Sequence, residues 1–208
     1  MTTVNHDHLF SYILTKYSRS KISENDFKNR VFLAIEHLRA SSLTNYHTSL
    51  NKKQFYLLTD DYHEEYESFI KAASSENLIT VRDGIIAKNH ERFSKKYEFH
   101  TVRKDNIVEV LTNEIEPLEN LTKALNRLMM LPAVYVRQKI RNHFIKLEKQ
   151  LFEQDYEQYY IKGESKPKNI GKPFFLKHFF GNKGVILVHG YMAAPEEIRP
   201  LADYLYKK

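Results

Sequence analysis

Apolar residues recur with a helical period through the first forty positions. In a helix predicted over residues 5–16 they share one face: Leu9, Phe10, Ile13, Leu14 and Tyr17. A second predicted helix starts after Ser23, which serves as N-cap with Asp26 at the third position,. Its apolar positions also form one stripe, made of Phe27, Val31, Ile35 and Leu38.

A third helix is predicted over residues 62–73, after which the period changes. Residues 78–81 and 85–88 flank Asp83-Gly84, a dipeptide typical of a two-residue hairpin turn,. Helices followed by a hairpin are typical of a winged-helix arrangement, which suggests DNA binding. Acidic residues crowd the third helix and its approach, however, and would repel phosphate: Asp60, Asp61, Glu64, Glu65 and Glu67,. We therefore interpret the hairpin as structural and do not expect nucleic acid as a partner.

Residues 99–160 are predicted to continue as helices. One stretch opens at residues 99–106, another begins at Pro117, and Pro132 separates a last, long helix that runs from Ala133 to about residue 160,. The apolar positions of this long helix share one face, which we interpret as core: Val136, Ile140, Phe144, Leu147, Leu151 and Phe152.

The last 47 residues are predicted to follow a different plan. Residues 162–172 combine Gly, Pro, Ser and charge without periodicity, which indicates a linker,. Residues 174–180 are predicted to form a strand. The uninterrupted apolar run Val185–Val188 is typical of a strand buried on both faces,. His189-Gly190 ends that run in a sharp turn, and Pro195 is predicted to start a final helix,.

Composition places the chain among globular proteins, since 42% of its 208 residues are hydrophobic and 28% charged,. It has no cysteine, which excludes disulfides and thiolate metal sites and fits a reducing cytoplasm,. We expect neither a secretory signal nor a membrane-spanning segment. No cofactor or metal is expected either, because His6 and His8 are interpreted as a mobile terminal pair and His63 lacks a second histidine one turn on,.

The formal net charge is +6, and basic residues gather in the last third of the chain. They are Arg137, Lys139, Arg141, Lys146, Lys149, Lys162, Lys166, Lys168, Lys172 and Lys177. Such a cluster could attract an anionic membrane surface. Interspersed acids favour an ordinary solvated face instead. If the basic face is functional, the alternative function is a helical interaction module that binds a membrane surface or a protein partner through it.

The end of the chain resembles the start of the α/β-hydrolase fold, as in bacterial carboxylesterases and lysophospholipase-like serine hydrolases. The resemblance covers about residues 172–208. It rests on Pro173-Phe174-Phe175-Leu176, on residues 184–191 with His189-Gly190-Tyr191 at their end, and on Ala194-Pro195-Glu196-Glu197 with Pro200-Leu201-Ala202.

This resemblance implies that the loop after the strand supplies one oxyanion-hole amide, which falls on the backbone N–H of Tyr191. Gly190 and His189 would shape the loop. The substrate would be an ester or a lipid-like small molecule. No Gly-x-Ser-x-Gly nucleophile motif occurs in the chain. We therefore expect a fragment, inactive by itself, of a serine ester hydrolase.

Residues 4–161 are similar to the C-terminal helical region of glycerol-3-phosphate acyltransferases, through Asn77-Leu78-Ile79, Asp83-Gly84, residues 103–106 and residues 114–118. His100 and Asp105 have the His-x4-Asp spacing of such enzymes,. The Phe-Pro-Glu-Gly-type motif of the family does not follow, so we interpret this pair as the N-terminal turn of a helix.

The predicted organisation is thus a mainly α-helical, acyltransferase-tail-like region with a small β-hairpin over residues 1–161, a linker over 162–172, and a truncated α/β-hydrolase (doubly wound) start over 173–208. The parent protein would act in lipid or ester metabolism, in the cytoplasm or peripheral to the membrane.

Overall fold

The structure is a computed structural model that describes residues 2–41, 45–59, 61–95, 97, 101–177 and 184–207. Within these ranges the chain is mainly helical, with one small antiparallel sheet. The helices are α1 (His6–Lys16), α2 (Glu24–Ala40), α3 (Glu64–Ser75), α4 (His90–Ser94), α5 (Val102–Asp105), α6 (Ile107–Ile115), α7 (Glu119–Met130), α8 (Ala133–Tyr159), α9 (Lys168–Gly171) and α10 (Arg199–Tyr206). The strands are β1 (Lys21–Ser23), β2 (Ile79–Arg82) and β3 (Ile85–Lys88). The chain divides into two compact units, residues 1–140 and 141–208.

The first two predicted helices are confirmed, together with the cap of α2. The Ser23 hydroxyl accepts a hydrogen bond from the Asp26 amide at 3.2 Å, which satisfies one of the free donors at the helix start,. In α1 the Asn5 side chain does the same for the His8 amide at 3.1 Å. Local sequence signals therefore set where both helices begin.

The predicted hairpin is also confirmed. Arg82 pairs with Ile85, which leaves Asp83 and Gly84 as a two-residue loop. Both loop residues lie at positive φ, 51° and 68°, as a type I′ turn requires,. β1 adds to the other edge of β3, with Ile22 opposite Ile86, and completes a three-stranded antiparallel sheet in the order β1-β3-β2.

The chain order of unit 1, α1-β1-α2-α3-β2-β3, is that of a winged-helix arrangement. The third helix, which would face DNA in such an arrangement, begins with Glu64, Glu65 and Glu67 in its first turn. Their charge opposes phosphate. The structural interpretation of the hairpin is therefore retained.

An aromatic cluster lies at the centre of unit 1. Phe10 of α1 packs against Phe27 of α2 and Phe69 of α3, with ring centroids 5.9 and 5.1 Å apart. Tyr66 meets the Phe10 ring edge-on at 5.9 Å, and its hydroxyl donates to Glu24 Oε1 at 2.6 Å. Burial and this contact with Glu24 raise the pKa of Tyr66,. The stripes predicted for α1 and α2 both point into this core.

A buried arginine ties α2 to the end of α7. Arg30 donates from Nε and Nη2 to Asp26 Oδ2, at 3.1 and 3.0 Å. Its remaining N–H groups donate to the carbonyl oxygens of Leu128 at 2.6 Å and Leu131 at 2.9 Å. The carboxylate balances the charge, and the two carbonyls lie at the C-terminal end of α7, where a helix leaves acceptor capacity unused,.

Unit 2 has little buried surface. Of the stripe predicted as core on α8, Val136 is buried but belongs to unit 1, and Leu151 is exposed. The prediction of a fully buried stripe is therefore wrong over residues 141–159. A 3.6-residue period identifies the face of a helix that can be buried, but it does not supply the surface that covers it.

The segment predicted as a linker, residues 162–172, contains α9. Within unit 2 it contacts the end of α8: the Tyr156 hydroxyl donates to the Lys166 carbonyl at 2.9 Å, and Lys172 pairs with Glu153 at 3.2 Å. The division into domains at residues 161 and 173 stays a prediction.

Two predicted strands are absent from the described residues. Residues 173–177 and 184–190 contain no strand, and the prediction for residues 178–180 falls outside the described residues. Among the described residues the run Val185–Val188 has no strand partner, and a strand exists only through hydrogen bonds to a neighbour,. The helix predicted after Pro195 is present, as a 3₁₀ turn at Pro195–Ile198 that leads into α10. Among the described residues no helix has the length and apolarity to cross a bilayer.

Candidate functional site

The predicted site residues His189, Gly190 and Tyr191 lie together on an exposed loop at the end of the apolar run. Tyr191 is 99% exposed, so its side chain packs against nothing. His189 donates from Nδ1 to the Gly190 carbonyl oxygen at 3.1 Å, which holds the imidazole against the loop backbone. The loop-shaping role of His189 stays a prediction.

The loop is closed by a β-turn over residues 190–193. The Ala193 amide donates to the Gly190 carbonyl oxygen at 3.0 Å. Met192, the third residue of the turn, has a φ of 58°, as expected for the third position of a type II turn,. A methionine there is unusual, because a side chain disfavours positive φ.

Gly190 plays a smaller role in this turn than predicted. It is not among the glycines at positive φ, and a Cβ added to it would meet nothing within 4 Å. The residue at positive φ in this turn is Met192 instead. Neither tight backbone geometry nor close approach therefore requires a glycine at position 190 in this structure.

The Tyr191 amide lies at the second position of the turn and donates to no acceptor among the described residues. An amide directed by a turn and without an internal partner can donate to a ligand oxygen. One such donor is half of an oxyanion hole, and the motif for a serine nucleophile is absent from the sequence. The oxyanion-hole role of the Tyr191 amide therefore stays a prediction.

The apolar run that leads into the loop is exposed to solvent. Val185, Ile186 and Val188 are 68%, 91% and 85% exposed. Scattered apolar side chains are normal on surfaces, whereas a contiguous run of this kind marks a surface that another element covers.

The helix after the loop is fixed by a few contacts within unit 2. Arg199 pairs with Asp203 at 3.1 Å and lies 4.7 Å from the centre of the Phe174 ring. Glu197 forms an ion pair with Lys166. Ala194 and Ala202 are the buried positions of this segment.

Part of the basic cluster is neutralised internally. Lys168 and Lys172 both pair with Glu153, and hydrogen bonds from Lys168 and then Lys172 lower the pKa of the Glu153 carboxyl. Arg141 stacks over Phe175, 5.4 Å from its ring centre. A shallow groove of about 730 Å³ runs along α8, with Lys146 and Lys149 among its lining residues. These pairs agree with the interpretation of the basic cluster as largely a solvated face.

A histidine cluster that the sequence did not predict lies inside unit 1. The rings of His6 and His63 are 5.4 Å apart, and both donate from Nε2 to Gln54 Oε1, at 2.9 and 3.4 Å. His63 Nδ1 accepts from the Tyr66 amide at 3.2 Å, so this imidazole is the N-cap of α3. Burial lowers the pKa of His63,.

The interpretation of His6 and His8 as a mobile pair is therefore wrong, since both are buried. His8 contacts Glu114 through Nε2 at 3.1 Å. The capping role of His63 could have been predicted from its position immediately before the acidic first turn of α3. Its contact with His6 depends on tertiary packing. Among the described residues, no group of three or more metal-binding side chains comes together.

The His-x4-Asp pair falls partly outside the structure, because His100 is not among the described residues. Asp105 ends the short helix α5, and its Oδ2 lies 4.0 Å from Lys95 Nζ. The acyltransferase resemblance therefore stays a prediction. Comparison with protein-family models, with curated proteins and with solved structures found no match to this chain.

Proposed function

We propose that residues 184–206 are a strand, the oxyanion loop and the following helix near the start of an α/β-hydrolase-like serine esterase that acts on carboxylic or lipid-like esters. The observation that carries the proposal is the exposed run Val185–Val188, with Ile186 91% exposed. A segment without polar alternation is suited to a strand between two others in a parallel sheet, covered by helices on both faces. The loop then lies at the carboxyl end of that strand, where ligands bind in open α/β sheets.

The chemical role of the loop follows from its backbone. Attack of a serine on an ester carbonyl places negative charge on the carbonyl oxygen, and a fixed N–H directed at that oxygen stabilises the transition state by about 3–4 kcal/mol. The Tyr191 amide is this donor in the proposal. The turn through Met192 and the contact of His189 with Gly190 hold the amide in place.

The serine, the acid and the histidine of the triad do not come from these 208 residues in this proposal, because the Gly-x-Ser-x-Gly motif is absent. They belong to polypeptide that pairs with the run Val185–Val188 as neighbouring strands. The chain described here is accordingly proposed to be inactive on its own.

The test is hydrolysis of p-nitrophenyl esters by a polypeptide that contains this chain together with the proposed triad. Two substitutions at position 191 are compared. Tyr191→Pro removes the N–H but suits the second position of a type II turn, where proline is common. Tyr191→Phe keeps the N–H and removes only the hydroxyl. We expect Tyr191→Pro to lower kcat about 10²–10³-fold. Tyr191→Phe should stay close to the unaltered protein.

Equal activities of Tyr191→Pro and Tyr191→Phe would show that the amide is not the donor. Absence of ester turnover by a polypeptide that includes a Gly-x-Ser-x-Gly serine would overturn the proposal altogether.

A further inference from the structure

Unit 1 carries an exposed apolar surface of its own, at the corner between α7 and α8. Met130, Val134 and Tyr135 are 84%, 57% and 54% exposed, within six residues of one another along the chain. Elsewhere in unit 1 apolar side chains of this size are mostly buried. A compact group of exposed apolar side chains on an otherwise well-packed unit indicates an interaction surface.

The corner is held rigidly from inside. The buried Arg30 donates to the carbonyl oxygens of Leu128 and Leu131, on either side of Met130. Val136, immediately after the exposed pair on α8, is fully buried. The exposed side chains are therefore presented by a fixed backbone and do not belong to a loosely packed end.

The charges along the sequence of this corner have one sign. Residues 120–140 contain four lysines and arginines and no aspartate or glutamate. Lys123 pairs with Glu119 at 2.8 Å, whereas Arg127, Arg137 and Lys139 are exposed and form no ion pair among the described residues. Three cations thus flank the three apolar side chains.

We propose that this corner surface is a contact site for the anionic face of a lipid bilayer. It consists of Arg127, Met130, Val134, Tyr135, Arg137 and Lys139. Cations at the level of the headgroups combined with apolar side chains below them are what an anionic interface accommodates, and tyrosine is enriched at that depth. A nucleic acid would use the cations but leave the apolar side chains in water. The site lies in unit 1 and does not depend on the proposed esterase loop.

The structure also sets the strength to expect. A cation near an anionic leaflet contributes about a fivefold factor in binding, so neutralising three should cost about a hundredfold. Three partly inserted side chains add a smaller apolar contribution, and single weak anchors bind membranes reversibly. We therefore expect reversible, salt-sensitive binding.

The experiment measures partition of the full chain onto phosphatidylcholine vesicles with and without phosphatidylserine, by flotation at low and high salt. We expect binding only with phosphatidylserine and at low salt. The triple variant Arg127→Gln, Arg137→Gln, Lys139→Gln should lose about a hundredfold in partition. The triple variant Met130→Ser, Val134→Ser, Tyr135→Ser should lose about tenfold, although its charge is unchanged.

Two control variants distinguish binding at this corner from a general effect of net charge and from binding at the run Val185–Val188. Lys52→Gln, Lys53→Gln, Lys71→Gln removes the same charge from exposed lysines elsewhere in unit 1 and should leave partition nearly unchanged. Val185→Ser, Ile186→Ser, Val188→Ser removes the other exposed apolar run and should retain corner-dependent binding. Circular dichroism checks that every variant is folded.

Several results would overturn the proposal. If the Lys52, Lys53, Lys71 variant loses as much partition as the Arg127, Arg137, Lys139 variant, net charge alone explains the binding. If the Val185, Ile186, Val188 variant loses vesicle binding while both corner variants retain it, the membrane contact lies at the apolar run and not at the corner. Failure of the unaltered chain to bind phosphatidylserine vesicles, together with dissociation of a dimer by the corner variants in sedimentation, would assign the surface to a second copy of the chain.

Discussion

β3 and the run Val185–Val188 are both short apolar segments, and their surroundings differ completely. β3 lies between β1 and β2, and its central Ile86 is fully buried. The run Val185–Val188 has the more hydrophobic sequence and yet is unpaired and exposed. An apolar sequence thus makes a segment suitable for a strand, but the strand forms only where hydrogen-bonding neighbours exist.

The same difference holds between the two units. Unit 1 closes an aromatic core around Phe10 and pairs its buried arginine. In unit 2 only Ala194 and Ala202, among the described residues, are buried. Unit 1 is expected to behave as a cooperatively folded body, whereas the stability of unit 2 should depend on whatever covers its exposed run.

The largest effect should come from Arg30, because its removal leaves the buried Asp26 carboxylate without its ion-pair partner and removes hydrogen bonds to the carbonyls at the end of α7. We expect Arg30→Ala to lower the free energy of unfolding by about 3–5 kcal/mol. Urea denaturation followed by circular dichroism measures the change. Arg19→Ala, at an exposed position two residues before β1, is the matched control and should stay within about 0.5 kcal/mol. Similar small values for both variants would contradict the packing of unit 1 described here.

A pair of isoleucines compares the two apolar segments directly. Ile86→Ala in β3 should cost about 2–5 kcal/mol, since it leaves a cavity in the core. Ile186→Ala should change the unfolding free energy by less than about 0.5 kcal/mol, since the side chain is already in water. The same denaturation experiment measures both. A substantial loss for Ile186→Ala would mean that the run is buried in solution.

A smaller effect is expected at the start of α2. Ser23→Ala removes the acceptor for the Asp26 amide and should cost about 1 kcal/mol. Ser20→Ala, an exposed serine outside the helix, serves as the control with no expected change. Thermal unfolding of the two variants side by side would show whether the cap contributes. Equal midpoints would indicate that packing alone determines where α2 begins.

The smallest effect concerns pH. The pKa of His63 is lowered from 6.5 in the folded chain, chiefly by burial, with His6 and Lys28 acting in the same direction and Glu65 opposing them. Between the lowered value and 6.5 the unfolded chain binds more protons, so stability should be present above pH 6.5 and decline as the pH falls through that interval,. His63→Asn keeps a capping side chain that does not titrate and should flatten this part of the stability profile. An unchanged slope in that variant would assign the pH dependence to other groups.

Local features of unit 1 were predictable from the sequence because their causes are local. The helical stripe around Phe10 repeats every three to four residues, and the cap at Ser23 and the turn at Asp83-Gly84 each involve residues that are neighbours in the sequence. The contact of His6 with His63 joins positions 57 apart and left no such signal. For Arg30 the i,i+4 pairing with Asp26 was readable, but its carbonyl partners were not.

The geometry of the candidate loop differs from what the sequence suggested, and its role as a site stays a prediction. His189, Gly190 and Tyr191 lie on one exposed loop. The residue at positive φ is Met192 rather than a glycine, because the turn begins at Gly190 and places its third position two residues later. Whether the loop serves an esterase is what the substitutions at Tyr191 test.

The contacts of Arg30 also limit how early unit 1 can finish folding during synthesis on the ribosome. Its carbonyl acceptor at Leu131 lies 101 residues further along the chain. At synthesis rates of about 5–20 residues per second, the N-terminal helices wait about 5–20 s before that partner is made. During this interval the guanidinium must remain hydrated, so α1 and α2 cannot reach their final packing early. The final packing of unit 1 is therefore reached only after Leu131 has been synthesised.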